Sequence, residues 1–123
     1  MLNLHQRTQL LRIARESIGA VLHGGRPEVD PPEDEELLRP SGAFVTLTIA
    51  GALRGCIGTI EAVAPLWRAV ANSALNAAFH DPRFAPLRPD ELPRVEIEIS
   101  VMSPIVPVST LDDIMVGRDG LIV

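Results

Sequence analysis

The chain has 123 residues, 46% hydrophobic and 22% charged, enough apolar material for the core of one domain. That balance excludes bulk disorder, and a single cysteine excludes a disulfide-stapled miniprotein. A net charge of −5, with three Phe, one Trp and no Tyr, argues against nucleic-acid binding by phosphate neutralisation or base stacking.

The N-terminal segment reads as an amphipathic helix. Leu4, Leu11, Ala14, Ile18 and Leu22 recur at helical spacing, Asn3 and Gln6 form a capping-box pattern, and His23-Gly24-Gly25 supplies a stop. Charges interrupt its apolar residues, so it does not read as a secretory signal. From Gly24 to Pro40, four prolines around the acidic run Glu33 to Glu36 predict an exposed loop. Phe44 to Ile49 and Leu53 to Ile60 then read as two strands of a hairpin that reverses at Ala50-Gly51. The weakly polar run Gly42 to Leu53 is too short to cross a bilayer, so no membrane partner is expected.

Pro65 suits the first turn of a helix reaching about Phe79, with Leu66, Val70, Ala74 and Ala77 as its inner stripe. Pro82 ends helix before Asp81, and Pro89, Asp90 and Glu91 suggest one short helical turn. Val95, Ile97, Ile99 and Val101 alternate with Glu96, Glu98, Ser100 and Met102, the period of a half-buried strand. Beyond Pro104 and Pro107, a short helix is expected from Ser109 to Ile114 and a hairpin turn at Gly117 to Gly120. Leu121 to Val123 begin another strand, which reads as a domain truncated at its C-terminus. Strands interspersed with unequal helices predict an α+β domain over residues 1–123, an antiparallel sheet with helices packed on it.

Chemistry centres on Leu53-Arg54-Gly55-Cys56-Ile57-Gly58-Thr59. Strict alternation puts Arg54, Cys56 and Gly58 on one face and Leu53, Gly55, Ile57 and Thr59 on the other. A guanidinium beside a thiol favours the thiolate nucleophile, and Gly58 would leave a gap for a ligand. The structural alternative is a buried cysteine acting as a small hydrophobe, with Gly55 and Gly58 marking a bulge or a close helix crossing. His80 could act as general base for Cys56 with Asp81 orienting it; alternatively His80 ends a helix and Asp81 pairs with Arg83. Glu98, with Glu96 and Ser100, forms a further polar strand face that is either acid–base machinery or simply solvated. Arg54, Gly55, Gly58, Asp81, Arg83 and Glu98 are thus candidates for binding a small molecule. Catalysis would fall to Cys56, Arg54 and His80.

One Cys and three His at no ligand spacing predict no metal, and no cofactor motif is present. All eleven basic residues are Arg, which removes Schiff-base and P-loop lysine chemistry. A lone thiol without an export signal points to a reducing cytoplasm.

Five segments together resemble one known family. They are LRGCIG at Leu53 to Gly58, GAFVTL at Gly42 to Leu47, HDPRF at His80 to Phe84, EIEISVMSP at Glu96 to Pro104, and GRDGLIV at Gly117 to Val123. They resemble the AMMECR-type domain, also called system protein A of the AmmeMemoRadiSam group, with a fainter match in the N-terminal helix. The resemblance implies a cytoplasmic α+β domain in two lobes, encoded beside a Memo-like protein and a radical SAM protein. The family pattern runs several dozen residues past GRDGLIV, so the resemblance also implies missing strands and an open sheet edge able to self-associate.

Two functional readings follow. In the first, the chain is a cysteine-dependent enzyme or enzyme component acting on a small molecule. In the second, it is a non-catalytic accessory subunit that docks the Memo-like and radical SAM proteins. A third, a role in transcription or translation, is opposed by the acidic balance and the scarcity of aromatics.

Overall fold

The computed structural model describes residues 2–26 and 29–102. Helix α1 spans Leu4–Leu22 and opens on the expected capping box. The Asn3 amide N–H donates to Gln6 Oε1 and the Gln6 amide N–H to Asn3 Oδ1, both at 2.8 Å. Its buried face differs from the apolar count. Leu10, Ile13, Ala14 and Ile18 are buried together with Gln6 and Ser17, whereas Leu4 is 79% and Leu11 39% exposed. Two polar residues belong to the stripe because each is satisfied: Ser17 Oγ donates to the Ile13 carbonyl, and Gln6 Nε2 to both carboxylate oxygens of Asp34. An apolar periodicity skips them: it finds Ala14, Ile18 and the half-buried Leu22, but takes in Leu4 and Leu11, which face solvent.

The acidic segment is not wholly loop. Asp34 caps a one-turn helix, α2 at Glu35–Leu38, by accepting from the Glu36 amide N–H, and Leu37 is fully buried. Two carboxylates in its first turn suit the positive end of the helix. The Gln6 contact ties this turn to the start of α1, so the acidic run is anchored rather than merely solvated.

Strands β1 (Gly42–Ile49) and β2 (Ala52–Thr59) form the predicted hairpin. Its two turn residues, Ala50 and Gly51, both take positive φ, 52° and 81°, the twist a two-residue hairpin turn needs. Helix α3 (Leu66–Phe79) follows, and its predicted inner stripe is buried as expected. The short helical turn forms slightly later than predicted, as a 3-10 helix at Leu92–Arg94, and leads into β3 (Val95–Met102).

The sheet is antiparallel throughout, in the order β2-β1-β3. Ala43, Val45 and Leu47 of β1 point into the core with Val95 and Ile99 of β3, against α3 and α1. Among the described residues the architecture is therefore α+β, as predicted. The helix, turn and strand expected between Ser109 and Val123 lie outside the described residues, as does Pro27.

The alanine-rich flank of α3 brings its backbone close to β2. A Cβ on Gly55 would collide with the carbonyl oxygen of Ala77. Gly55 is therefore a helix-crossing glycine, the structural alternative read from the sequence. Gly55→Ala should destabilise the fold by about 1–3 kcal/mol through overpacking. Gly19→Ala, in the last turn of α1 where the nearest atom to the new methyl is 3.7 Å away, should stabilise it by about 0.5–1 kcal/mol. Urea titrations of the two variants check the opposite signs.

Candidate functional site

The LRGCIG segment does not keep strict alternation. Gly55 lies opposite Leu47 and Leu53 opposite Thr48, so Arg54 is the extra residue of a β-bulge. The consequence is a change of face for everything before it. Cys56 and Gly58 share their face with Thr46 and Phe44, and Leu53 joins them, contrary to the expectation that Leu53 would point with Gly55.

Arg54, released from the ladder, points to the long connection between α3 and β3. Its Nε donates to Glu91 Oε2 at 2.9 Å and its Nη2 to Glu91 Oε1 at 3.0 Å, a two-pronged pair whose side chains are 15% and 9% exposed. Nη2 also reaches the Pro86 carbonyl, and Glu91 Oε1 accepts from the Arg88 amide N–H. The Arg54 guanidinium holds the Glu91 carboxyl down to about 2. Nη1 is buried and has no hydrogen-bond partner among the described residues. The guanidinium predicted to activate Cys56 is thus committed to a carboxylate.

Cys56 is half-buried, and its Sγ lies 3.1 Å from Thr46 Oγ1. Thr46 in turn stands opposite Glu98 on β3, so Cys56, Thr46 and Glu98 form one row across the sheet. Glu98 is exposed and two strands from the thiol, a separation of roughly 10 Å at the usual strand spacing. Above Gly58 the predicted ligand gap is not open. A Cβ there would run into the Ala43 carbonyl and the base of the Phe44 ring, so the aromatic side chain occupies the space.

The HDPRF segment meets Cys56 through the main chain rather than the thiol. The Cys56 amide N–H donates to Asp81 Oδ2 at 3.0 Å, and Arg83 Nη2 donates to the Cys56 carbonyl at 3.4 Å. Asp81 and Arg83 are themselves joined by two parallel bonds, Nε to Oδ1 at 3.0 Å and Nη2 to Oδ2 at 2.8 Å. The carboxylate also accepts from the Arg83 amide N–H, which fixes the turn. Asp81 is 1% exposed at its side chain, and the Arg83 guanidinium, then the Cys56 amide, hold its carboxyl well below the usual carboxylate range. A carboxylate and a guanidinium therefore present to the outer edge of β2 one acceptor and one donor, as a neighbouring strand would. The Phe84 ring lies near both cations, 6.0 Å from Arg54 and 5.5 Å from Arg83.

His80 ends α3 as its C-cap, is exposed, and makes no side-chain hydrogen bond to Cys56. The structure thus brings together Arg54, Gly55, Cys56, Gly58, Asp81 and Arg83, but leaves His80 and Glu98 apart from the thiol. Two residues were missed as members of this cluster. In the sequence Glu91 reads only as part of a turn and Thr46 only as a strand residue; the position of the bulge and the cross-strand register that recruit them leave no periodic trace. Among the described residues no three His, Cys, Asp or Glu side chains converge in a way that could hold a metal ion, and no helix is long and apolar enough to cross a membrane.

The AMMECR1 family profile matches residues 11–123. The chain belongs to the AMMECR1 family. A Thermococcus gammatolerans protein is 43% identical over 126 residues, covering 93% of this chain and 61% of that protein. Nanoarchaeum equitans protein NEQ441 is 40% identical, covering 93% and 67%. The crystal structure of uncharacterized protein PH0010 from Pyrococcus horikoshii matches with a TM-score of 0.70 and 39% identity, over 76% of this chain and 49% of that one. The chain thus spans about three fifths of the first relative and about half of PH0010.

Glu91→Ala should cost about 3 kcal/mol, the low end for breaking a buried pair, because it strands Arg54. A combined Arg54→Met, Glu91→Leu variant should recover most of that loss in the same chemical denaturation assay. Both Glu91 and Asp81 have folded-state values below their unfolded ones, so ionisation favours the folded chain. Their contribution is complete above the unfolded values near 4 and is lost as pH falls, toward about 2 for Glu91 and lower for Asp81. Melting temperature should fall across that acid window, and Glu91→Gln should flatten its upper part.

Proposed function

We propose that this AMMECR1-family chain is a non-catalytic interaction module of the AmmeMemoRadiSam group, working in the cytoplasm beside Memo-like and radical SAM proteins. The group assignment is supported by the unbroken LRGCIG motif and the four accompanying segments. One observation carries the choice between the two readings: every charged group beside Cys56 is already engaged. Arg54 is locked to Glu91, and Arg83 to Asp81 and the Cys56 carbonyl. The one polar side chain bonded to the thiol among the described residues is the Thr46 hydroxyl, which is no base. An enzyme built on this cysteine would need a neighbouring base or an uncommitted cation to generate the thiolate.

In this reading the motif is an architectural one. Its bulge, glycines and ion pairs fix the shape of a sheet edge, and self-association through that edge belongs to the same class of behaviour. The enzymatic reading keeps one observation in its favour, the half-exposure of the thiol.

Partner capture with Cys56→Ala separates the two. The interaction reading predicts that the variant binds the Memo-like and radical SAM proteins as the parent does and restores pathway output in cells lacking the native gene. Retained binding with output abolished would replace it with the cysteine-dependent enzyme.

A further inference from the structure

The two outer backbone groups of β2 nearest its C-terminal end have different fates. Ladder alternation turns the N–H and C=O of Cys56 and Gly58 away from β1. Those of Cys56 are taken by Asp81 and Arg83; those of Gly58 have no partner among the described residues. Beside Gly58 lies a cavity of about 140 Å³, bounded on its other side by Asn72 and Asn76 of α3. These two asparagines are exposed, one helical turn apart on the same side of the helix, and make no side-chain hydrogen bond among the described residues. A carboxamide carries one carbonyl and one N–H₂, the same donor and acceptor as a peptide unit.

Both walls of the groove therefore present paired donors and acceptors, the pattern that an extended main chain satisfies on its two edges. Its size suits about one residue, since a cavity of about 150 Å³ accommodates a molecule the size of benzene. The Asp81–Arg83 contact at Cys56 stops a longer strand from adding. Charge and shape narrow the occupant further. Glu61 is the sole charged residue lining the cavity, and Val63, 77% exposed, offers an apolar flank at its mouth.

We propose that this groove binds one peptide unit of an extended, neutral or basic segment of a partner protein, hydrogen-bonded to Gly58 on one side and to Asn72 and Asn76 on the other. The proposal rests on the interaction-module reading and gives it a contact point away from Cys56.

The test is a titration of the intact protein, followed by amide NMR, with a capped tripeptide carrying a central lysine. Saturable shifts are expected at the Gly58 amide and at the Asn72 and Asn76 side-chain N–H₂ signals. Binding should be several-fold weaker for the same peptide with a central glutamate, and lost when the central amide is replaced by an ester. It should also be lost in an Asn72→Ala, Asn76→Ala variant whose spectrum is otherwise unchanged. No shifts at saturating peptide, equal binding of the ester, or shifts that arise on concentrating the protein alone would overturn it. The last result would give the groove to a second copy of the chain. Partner capture that persists in the asparagine variant would sink the groove while leaving the interaction reading standing.

Discussion

Among the described residues β2 is an edge strand, and its outer position at Cys56 is finished by two side chains instead of a fourth strand. Asp81 accepts the Cys56 amide N–H and Arg83 donates to its carbonyl, while the two hold each other in parallel. An edge strand left open pairs with whatever strand it meets, so covering it at one point limits where a second chain can add. The contact also fixes the connection between α3 and β3 against the sheet, which is what lets Glu91 reach the guanidinium of the bulged Arg54. Removing the carboxylate would expose the edge and loosen that connection together.

The same geometry gives three residues of the most chemistry-like motif a structural part in the fold. Gly55 exists because Ala77 of α3 passes too near for a side chain, and Gly58 because Phe44 lies over it. Arg54 leaves the ladder and neutralises a buried carboxylate. What remains at Cys56 is a small half-buried thiol beside a hydroxyl, on a sheet face that carries Thr46, Thr48, Glu96 and Glu98. Among the described residues the group bonded to sulfur on that face is the Thr46 hydroxyl, and the carboxylate of Glu98 stands two strands away.

Local patterns were legible in the sequence where one residue decides the outcome. Asn3 with Gln6 announced a helix start, Ala50-Gly51 a reversal, and the alternation from Val95 to Met102 a half-buried strand. The pairing of Asp81 with Arg83 and the close crossing at Gly55 were also readable as alternatives. What escaped was set by distant partners. Gln6 and Ser17 are buried because Asp34 and a backbone carbonyl satisfy them, so an apolar count missed them and drew Leu4 and Leu11 into the helix face instead. Leu37 is driven inside a stretch whose prolines and acids suggest only loop. A bulge was readable as an alternative from the glycines flanking Cys56, but not its place at Arg54, which moved Leu53 to the other side of the sheet and meets Glu91 from 37 positions away.

Hydrogen exchange at single amides tests the covered edge most directly. The Cys56 amide faces away from β1, yet it should be strongly protected because the buried Asp81 carboxylate accepts it; Gly58, two residues on at the same edge, should exchange quickly. In Asp81→Ala the Cys56 amide should lose its protection while core amides such as Val45 keep theirs. Rapid exchange of Cys56 in the parent protein, or protection untouched by the substitution, would contradict the account.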